Sequence, residues 1–152
     1  MKIPLPIESE RLVIRPLAIE DAADLREPEE WIREKIDRFE RDGGMSLWAA
    51  VDRESGRAVA MVGFQWEQIA GQRELDIGCV VAGHEQGRGY GTEGSIAILD
   101  AAFAAGFERV TAMTKPDNAR ALRILEKLGF AREGETDFEG GHYAFFTRSS
   151  AG

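Results

Sequence analysis

The chain has 152 residues, 43% of them hydrophobic and 30% charged, which is enough apolar mass for one sizeable core, so a single domain over 1–152 with no linker is expected. With 19 Lys and Arg against 27 Asp and Glu, the formal charge of −8 opposes unspecific binding to nucleic acid or an anionic membrane, and no run approaches the roughly 20 uninterrupted apolar residues of a membrane helix. One cysteine, Cys79, and two widely separated histidines, His84 and His142, exclude an intrachain disulfide and give no basis for a metal site. The opening MKIPLPIESE carries two prolines and two acids where a secretory signal needs an apolar core, so the expected location is the cytoplasm.

Residues 11–17, RLVIRPL, are β-branched and bounded by Pro16, which predicts a short first strand. Six acids follow, Glu20, Asp21, Asp24, Glu27, Glu29 and Glu30, against the single Arg26; such a run ordinarily forms a solvated helical face. Ile32, Ile36 and Phe39 recur at i, i+4 and i+7 between Pro28 and Gly43-Gly44, predicting an amphipathic helix over 29–42. Residues 46–52 and 57–67 flank the turn-like Arg53-Glu54-Ser55-Gly56 and read as a hairpin. Its aromatic residues Trp48, Phe64 and Trp66, together with Trp31, are expected in the core or as walls of a slot.

In 74–81, Leu75, Ile77 and Cys79 alternate with Glu74, Asp76 and Gly78, which puts two carboxylates on one face of a strand. After a glycine-rich turn, Ile96, Leu99 and Phe103 repeat at helical spacing until Gly106. Residues 109–114 form a compact strand ended by Pro116, and Asp117 or Asn118 caps a helix whose Leu122, Leu125 and Leu128 face inward and which Gly129 stops. The stretch from Phe130 and the stretch 143–147 give two last strands joined through Gly140-Gly141. The class is α+β, and the central strand, turn, helix, strand unit predicts a right-handed crossover between neighbouring parallel strands.

The turn Gln86-Gly87-Arg88-Gly89-Tyr90-Gly91-Thr92 lies between a predicted strand and a predicted helix. Three glycines in five positions let backbone N–H groups converge on an anion, and the helix start adds a positive dipole end, so the segment suits a pyrophosphate as well as an ordinary tight βα turn. Arg88 adds a charge contact. No GxxxxGK[ST] exists, which excludes a Walker-type NTPase, and the absence of G-x-S-x-G disfavours a nucleophilic hydrolase. Gly89-Tyr90-Gly91-Thr92-Glu93-Gly94 satisfies GxGxxG formally, so a small dinucleotide-binding module is an alternative. Against it, several strands precede the turn and only 58 residues follow Gly94.

These residues resemble the GCN5-related N-acetyltransferases, whose Gln/Arg-x-x-Gly-x-Gly/Ala pattern is met by Gln86, Gly89 and Gly91. A second block agrees: Asn118-Ala119-Arg120-Ala121 leading to Glu126-Lys127-Leu128-Gly129-Phe130 is similar to the family's later motif. The opening Glu10 to Leu17 further resembles the ribosomal-protein N-terminal (Rim-type) subfamily, and the similarity runs from about Ser9 to Thr147. The resemblance implies a mixed, mostly antiparallel central sheet with a splayed parallel strand pair and flanking helices. It also implies acetyl-CoA as cosubstrate, no metal, and a small-molecule or peptide primary amine as acceptor, attacking the thioester directly. Backbone groups of Val80 and Val81 would pair with the pantetheine arm, the amides of Gly87 to Thr92 would hold the pyrophosphate, and Asn118 would bond the pantetheine or only cap its helix.

Proton transfer has two candidate bases, Glu74 and Asp76, the acids closest in sequence to the implied slot; the alternative for each is a solvated strand edge paired with Arg73 or another base. A lysine acceptor with pKa about 10.4 is neutral in only about one molecule in 2,500 at pH 7, whereas an α-amine near 7.7 to 8.0 is neutral in about one in five to ten. Leu125 stands where many family members place a tyrosine that protonates the thiolate, and Ala121 where Rim-type members often have serine. Tyr143 and His142 are weak substitutes. The missing tyrosine also admits a non-catalytic CoA-binding regulator. In the resembled family the acidic segment after the first strand borders the acceptor and so becomes a candidate steering field. N-termini of proteins, free amino acids, polyamines and antibiotics all fit as acceptor, and monomer and homodimer stay equally open.

Overall fold

In the computed structural model, which describes residues 1–150, the first predicted strand becomes β2 (Leu12–Arg15), paired antiparallel with a two-residue strand, β1 (Ile7–Glu8). The acidic segment folds into a short helix, α1 (Asp21–Leu25), and the periodic segment into α2 (Glu29–Arg41), with Ile32 fully buried as its spacing requires. The hairpin is β3 (Leu47–Asp52) and β4 (Ala58–Ile69). β4 turns through Ala70 and Gly71, both at positive φ (51° and 82°), into β5 (Gln72–Val81). The glycine-rich turn leads to α3 (Tyr90–Ala104), then to β6 (Arg109–Thr114), α4 (Ala119–Lys127), β7 (Ala131–Phe138) and β8 (Gly141–Ser149).

The eight strands form one sheet in the order β1-β2-β3-β4-β5-β6-β8-β7. Every neighbouring pair is antiparallel except β5 and β6, which run parallel. The mixed, mostly antiparallel sheet with flanking helices is therefore the observed architecture. Its larger core lies beneath α3 and α4, where Val62, Phe64, Leu75, Ile98, Leu99, Val110 and Phe146 meet. A smaller cluster of Leu25, Ile32, Leu47, Ala49 and Met61 lies under α1 and α2. Since Met61 pairs with Val80 and Val62 with Cys79, alternation assigns residues 75, 77, 79 and 81 of β5 to the α3–α4 side and residues 74, 76, 78 and 80 to the α1–α2 side.

The acidic run is not a uniformly solvated face. Asp21 is buried: its carboxylate takes both Nη atoms of Arg15 at 2.9 Å and accepts from the Ala18 amide at 2.8 Å, while Asp24 Oδ2 accepts from the Ala58 amide. These bonds fasten α1 to β2 and β4, because a carboxylate leaves water only where donors replace it. Glu20, Glu29 and Glu30 stay exposed. Of the four aromatic residues, Trp48 and Phe64 are fully buried and meet edge to face at 5.9 Å, with Trp48 Nε1 donating to the Gly44 carbonyl. Trp66 packs at the rim on Phe107 and Trp31 lies under Lys35.

Candidate active site

β5 and β6 share a single registered pair, Asp76 opposite Thr111. Beyond it the two strands part, so the β6-facing edge of β5 from Ile77 to Val81 has no strand partner, and a cleft of about 450 Å³ opens between the strands, the glycine loop and α4. Its walls include Ile77, Cys79 and Val81 of β5, Ala112 and Thr114 of β6, and Ala121 and Leu125 of α4.

Where the two strands are furthest apart, the cleft is bounded by the glycine loop. Gly89, at φ 80°, is the residue before α3, and the first helical bond runs from the Glu93 amide to its carbonyl at 3.0 Å. The amides of Tyr90, Gly91 and Thr92 therefore have no partner inside the helix, and they sit at its positive end beside the cleft that Gly91 and Thr92 line. A Cβ on Gly91 would lie 3.0 Å from both Cys79 Sγ and Val81 Cγ2, so glycine lets the first turn of α3 settle onto β5. The turn is held from behind. Ser9 Oγ, the Arg11 amide and Arg11 Nε all donate to Glu93, and against the opposing effect of desolvation these bonds hold its carboxyl below the usual range. The Arg11 guanidinium also covers the ring of buried Tyr90 at 4.5 Å.

The other residues singled out in the sequence divide. Gln86, Gly87, Gly89, Tyr90, Gly91, Thr92 and Val81 line the cleft; Val80 points to the opposite face and packs on the α1–α2 cluster, leaving only its backbone on the β5 edge. Arg88 is largely exposed outside the cleft lining, its Nη1 3.7 Å from Glu85. Asn118 lines the cleft and caps α4, with Oδ1 accepting from the Ala121 amide at 3.1 Å, so its Nδ2 has the free donors. Leu125 and Ala121 bring no proton donor to the cleft. Cys79 is exposed as a residue; desolvation of its thiol pushes the pKa up, partly offset by a bond from Ser95. His142 is exposed on the last hairpin between Asp137 (2.7 Å) and Glu135, which together raise its pKa, and Tyr143 lies under Lys115; neither lines the cleft.

Glu74 and Asp76 share a face, as the alternation predicts, but not a role. Glu74 is buried and both its oxygens are taken by Arg109, Nε at 3.0 Å and Nη2 at 2.8 Å. Asp76 has a neutral partner, the fully buried Thr111 hydroxyl, which donates to Oδ1 at 2.7 Å. Burial raises the Asp76 carboxyl to about 7, the Thr111 bond lowers it, and the nearby charges of Glu67 and Glu74 raise it further. Asp76 thus stands at the vertex of the splay as a carboxylate without a cation; its side chain, like that of Glu74, lies on the α1–α2 side of the sheet and outside the cleft lining. Glu74→Gln, which replaces a bidentate ion pair by a neutral contact, is expected to cost about 1–2 kcal/mol, read as a fall of roughly 3–6 °C in Tm.

A sheet that splays between two parallel strands, with a glycine loop and helix start at the open end, defines an acyl-transferase architecture. An acetyltransferase (GNAT) domain model matches residues 11–131, and the chain belongs to that family. An uncharacterised protein of Bacillus subtilis, YkkB, is 34% identical over 107 residues, covering 70% of this chain and 62% of YkkB, so the chain spans about three fifths of that relative's length. Among solved structures, a GNAT-family protein of Bordetella pertussis superposes with a TM-score of 0.81 at 21% identity over 95% of this chain and 100% of that one. The ribosomal-protein-S5-alanine acetyltransferase of Vibrio fischeri does so with a TM-score of 0.75 at 17% identity over 97% of each chain. At these identities the structures speak for the fold alone.

Proposed function

We propose that the protein is an N-acetyltransferase that moves an acetyl group from acetyl-CoA to a primary amine by direct attack on the thioester, with Asp76 as general base. The observation that carries this reading is the carboxylate that stands without a cation at the vertex of the splay, bonded only by the Thr111 hydroxyl; burial raises it to about 7, and a base with a pKa near ambient pH combines ionisation with useful basicity. The cleft fits the cosubstrate: the free amides of Tyr90, Gly91 and Thr92 suit a pyrophosphate, and the unpaired edge of β5 suits the amides of a pantetheine arm. Acetyl-CoA supplies the acyl group already activated as a thioester. The acceptor nitrogen forms the C–N bond while the C–S bond breaks toward sulfur; of the two protons an ammonium loses, one passes to Asp76, directly or through water, and one balances the thiolate. With Leu125 on α4 no side chain there is assigned to protonate sulfur, and a thiol comparable to cysteine, with a pKa near 8.5, leaves without one.

The test is thermal melting of the purified protein with acetyl-CoA, CoA or NAD, followed by thiol release with a panel of amines. A ligand at about 100 times its Kd adds roughly 2.7 kcal/mol, a rise of roughly 5–10 °C for this size. A rise with acetyl-CoA but not NAD, with thiol release from one amine class, is expected. A rise with NAD alone overturns the cofactor, and a rise with CoA but no release from any amine turns the reading to a CoA-binding regulator.

A further inference from the structure

A second acid lies at the open end of the cleft, and the chemistry above gives it no task. Glu85 closes the short 3-10 turn Gly83–Glu85 that joins β5 to the glycine loop; it is only 8% exposed and lines the cleft immediately before Gln86. Among the described residues its carboxylate accepts no hydrogen bond. Arg57 Nη2 stands 3.7 Å from Oε1, Arg88 Nη1 3.7 Å from Oε2 and His84 Nε2 3.9 Å from Oε1, while His84 Nδ1 is itself buried with no partner. The carboxylate is therefore held by charge at 3.7–3.9 Å and by no direct bond, with a tenth of its side chain exposed. The two arginines, by contrast, are more than half exposed and free to swing.

Resting on the reading of the cleft as a CoA site, we propose that Glu85 is the resident counter-anion of the phosphate cradle. Without ligand it keeps Arg88 and Arg57 beside the loop. When the phosphates of the cosubstrate settle on the amides of residues 90–92, the guanidiniums turn from Glu85 to the phosphates, and the carboxylate, now a like charge at close range, weakens binding and hastens release of CoA. Glu85 is a positioning residue: it acts through the arginines it holds and through its own charge, and its effect falls on affinity for phosphate-bearing ligands.

The test is calorimetry of CoA and of phosphate-free pantetheine on the full chain carrying Glu85→Gln, Arg88→Ala or both. One like charge removed at a partly wet site is expected to tighten CoA roughly five- to ten-fold, with pantetheine unchanged. Arg88→Ala is expected to weaken CoA, and to weaken it more in the Glu85→Gln background, where the carboxylate no longer competes for the guanidinium. Glu85→Ser, which removes the charge with a different shape, gives the same ordering, so the result does not hang on one variant folding. CoA affinity unchanged or lowered in both Glu85 variants, or pantetheine tightened equally, overturns the proposal while the cofactor site stands. Wild-type protein that binds no CoA overturns the cofactor site itself.

Discussion

Asp76→Asn lowers kcat about 10²- to 10⁴-fold, the usual contribution of a positioned general base. The amide has the shape of the acid and keeps a hydrogen-bond acceptor for Thr111, so the fold is retained and the loss belongs to proton transfer. The wild-type pH profile carries the matching signature. Asp76 accepts a proton only when ionised, so kcat rises as pH climbs toward about 7 and flattens above it, and Asp76→Asn lacks that limb. Stability moves the other way. The folded-state pKa lies above the ordinary aspartate value of 3.8, so between the two the native state holds a proton that the unfolded chain has released. This stabilisation is complete below about 3.8 and is lost as pH rises through 7. Asp76→Asn, neutral at every pH, is therefore more stable than the wild type at pH 8, and the two converge near pH 4. A variant that is slower and more stable at once marks a group retained for chemistry. Near-wild-type turnover across the pH range removes Asp76 as the base.

Why the sequence alone left Glu74 and Asp76 equivalent is a matter of register. A period of two puts both on one face of β5, but it does not say which residues of β6 lie opposite. Arg109 and Thr111 repeat with the same period, and a parallel pair two residues out would have given the arginine to Asp76. The observed pairing of Asp76 with Thr111 places Arg109 level with Glu74, and that single choice separates a salt bridge from a candidate base. The glycine loop was legible because its chemistry depends on backbone, which glycines announce directly. Glu85 was not: Arg88 stands three residues away in the sequence, but the burial of Glu85 and the approach of Arg57 arise only in the folded chain.

The fold shows the same division. α3, β6 and α4 lie close to their predicted spans because each has a clear period and a Gly or Pro at its end. The turn between β4 and β5 was missed because one of its two positive-φ residues is Ala70, a residue that carries no turn signal. The acidic run misled for a different reason. Composition registers Asp21 as a charge, while its burial depends on Arg15 reaching across from β2, a contact no local pattern reports.

Gly89→Val is expected to weaken CoA binding by 100-fold or more while the domain stays folded. The cause is conformational. A Cβ at position 89 would meet only Arg11 Nη2 at 3.5 Å, an ordinary contact, but φ is 80°, where a β-branched residue is strained by about 1–3 kcal/mol. The strain is relieved by rotating the peptide that starts α3, and the carbonyl of Gly89, which accepts the Glu93 amide, turns with it. The fan of amides at 90–92 then loses the common direction on which anion binding depends, since a pyrophosphate gains from several donors converging rather than from any one. Gly56→Val supplies the matched control. Gly56 also sits at positive φ, 71°, with nothing within 4 Å of a new Cβ, and it lies in the β3–β4 turn outside the cleft lining. It should therefore lose similar stability and bind CoA as the wild type does. Calorimetry on the pair separates a general backbone penalty from a local one, and if Gly89→Val binds CoA as tightly as Gly56→Val, the amide fan is not what holds the phosphates.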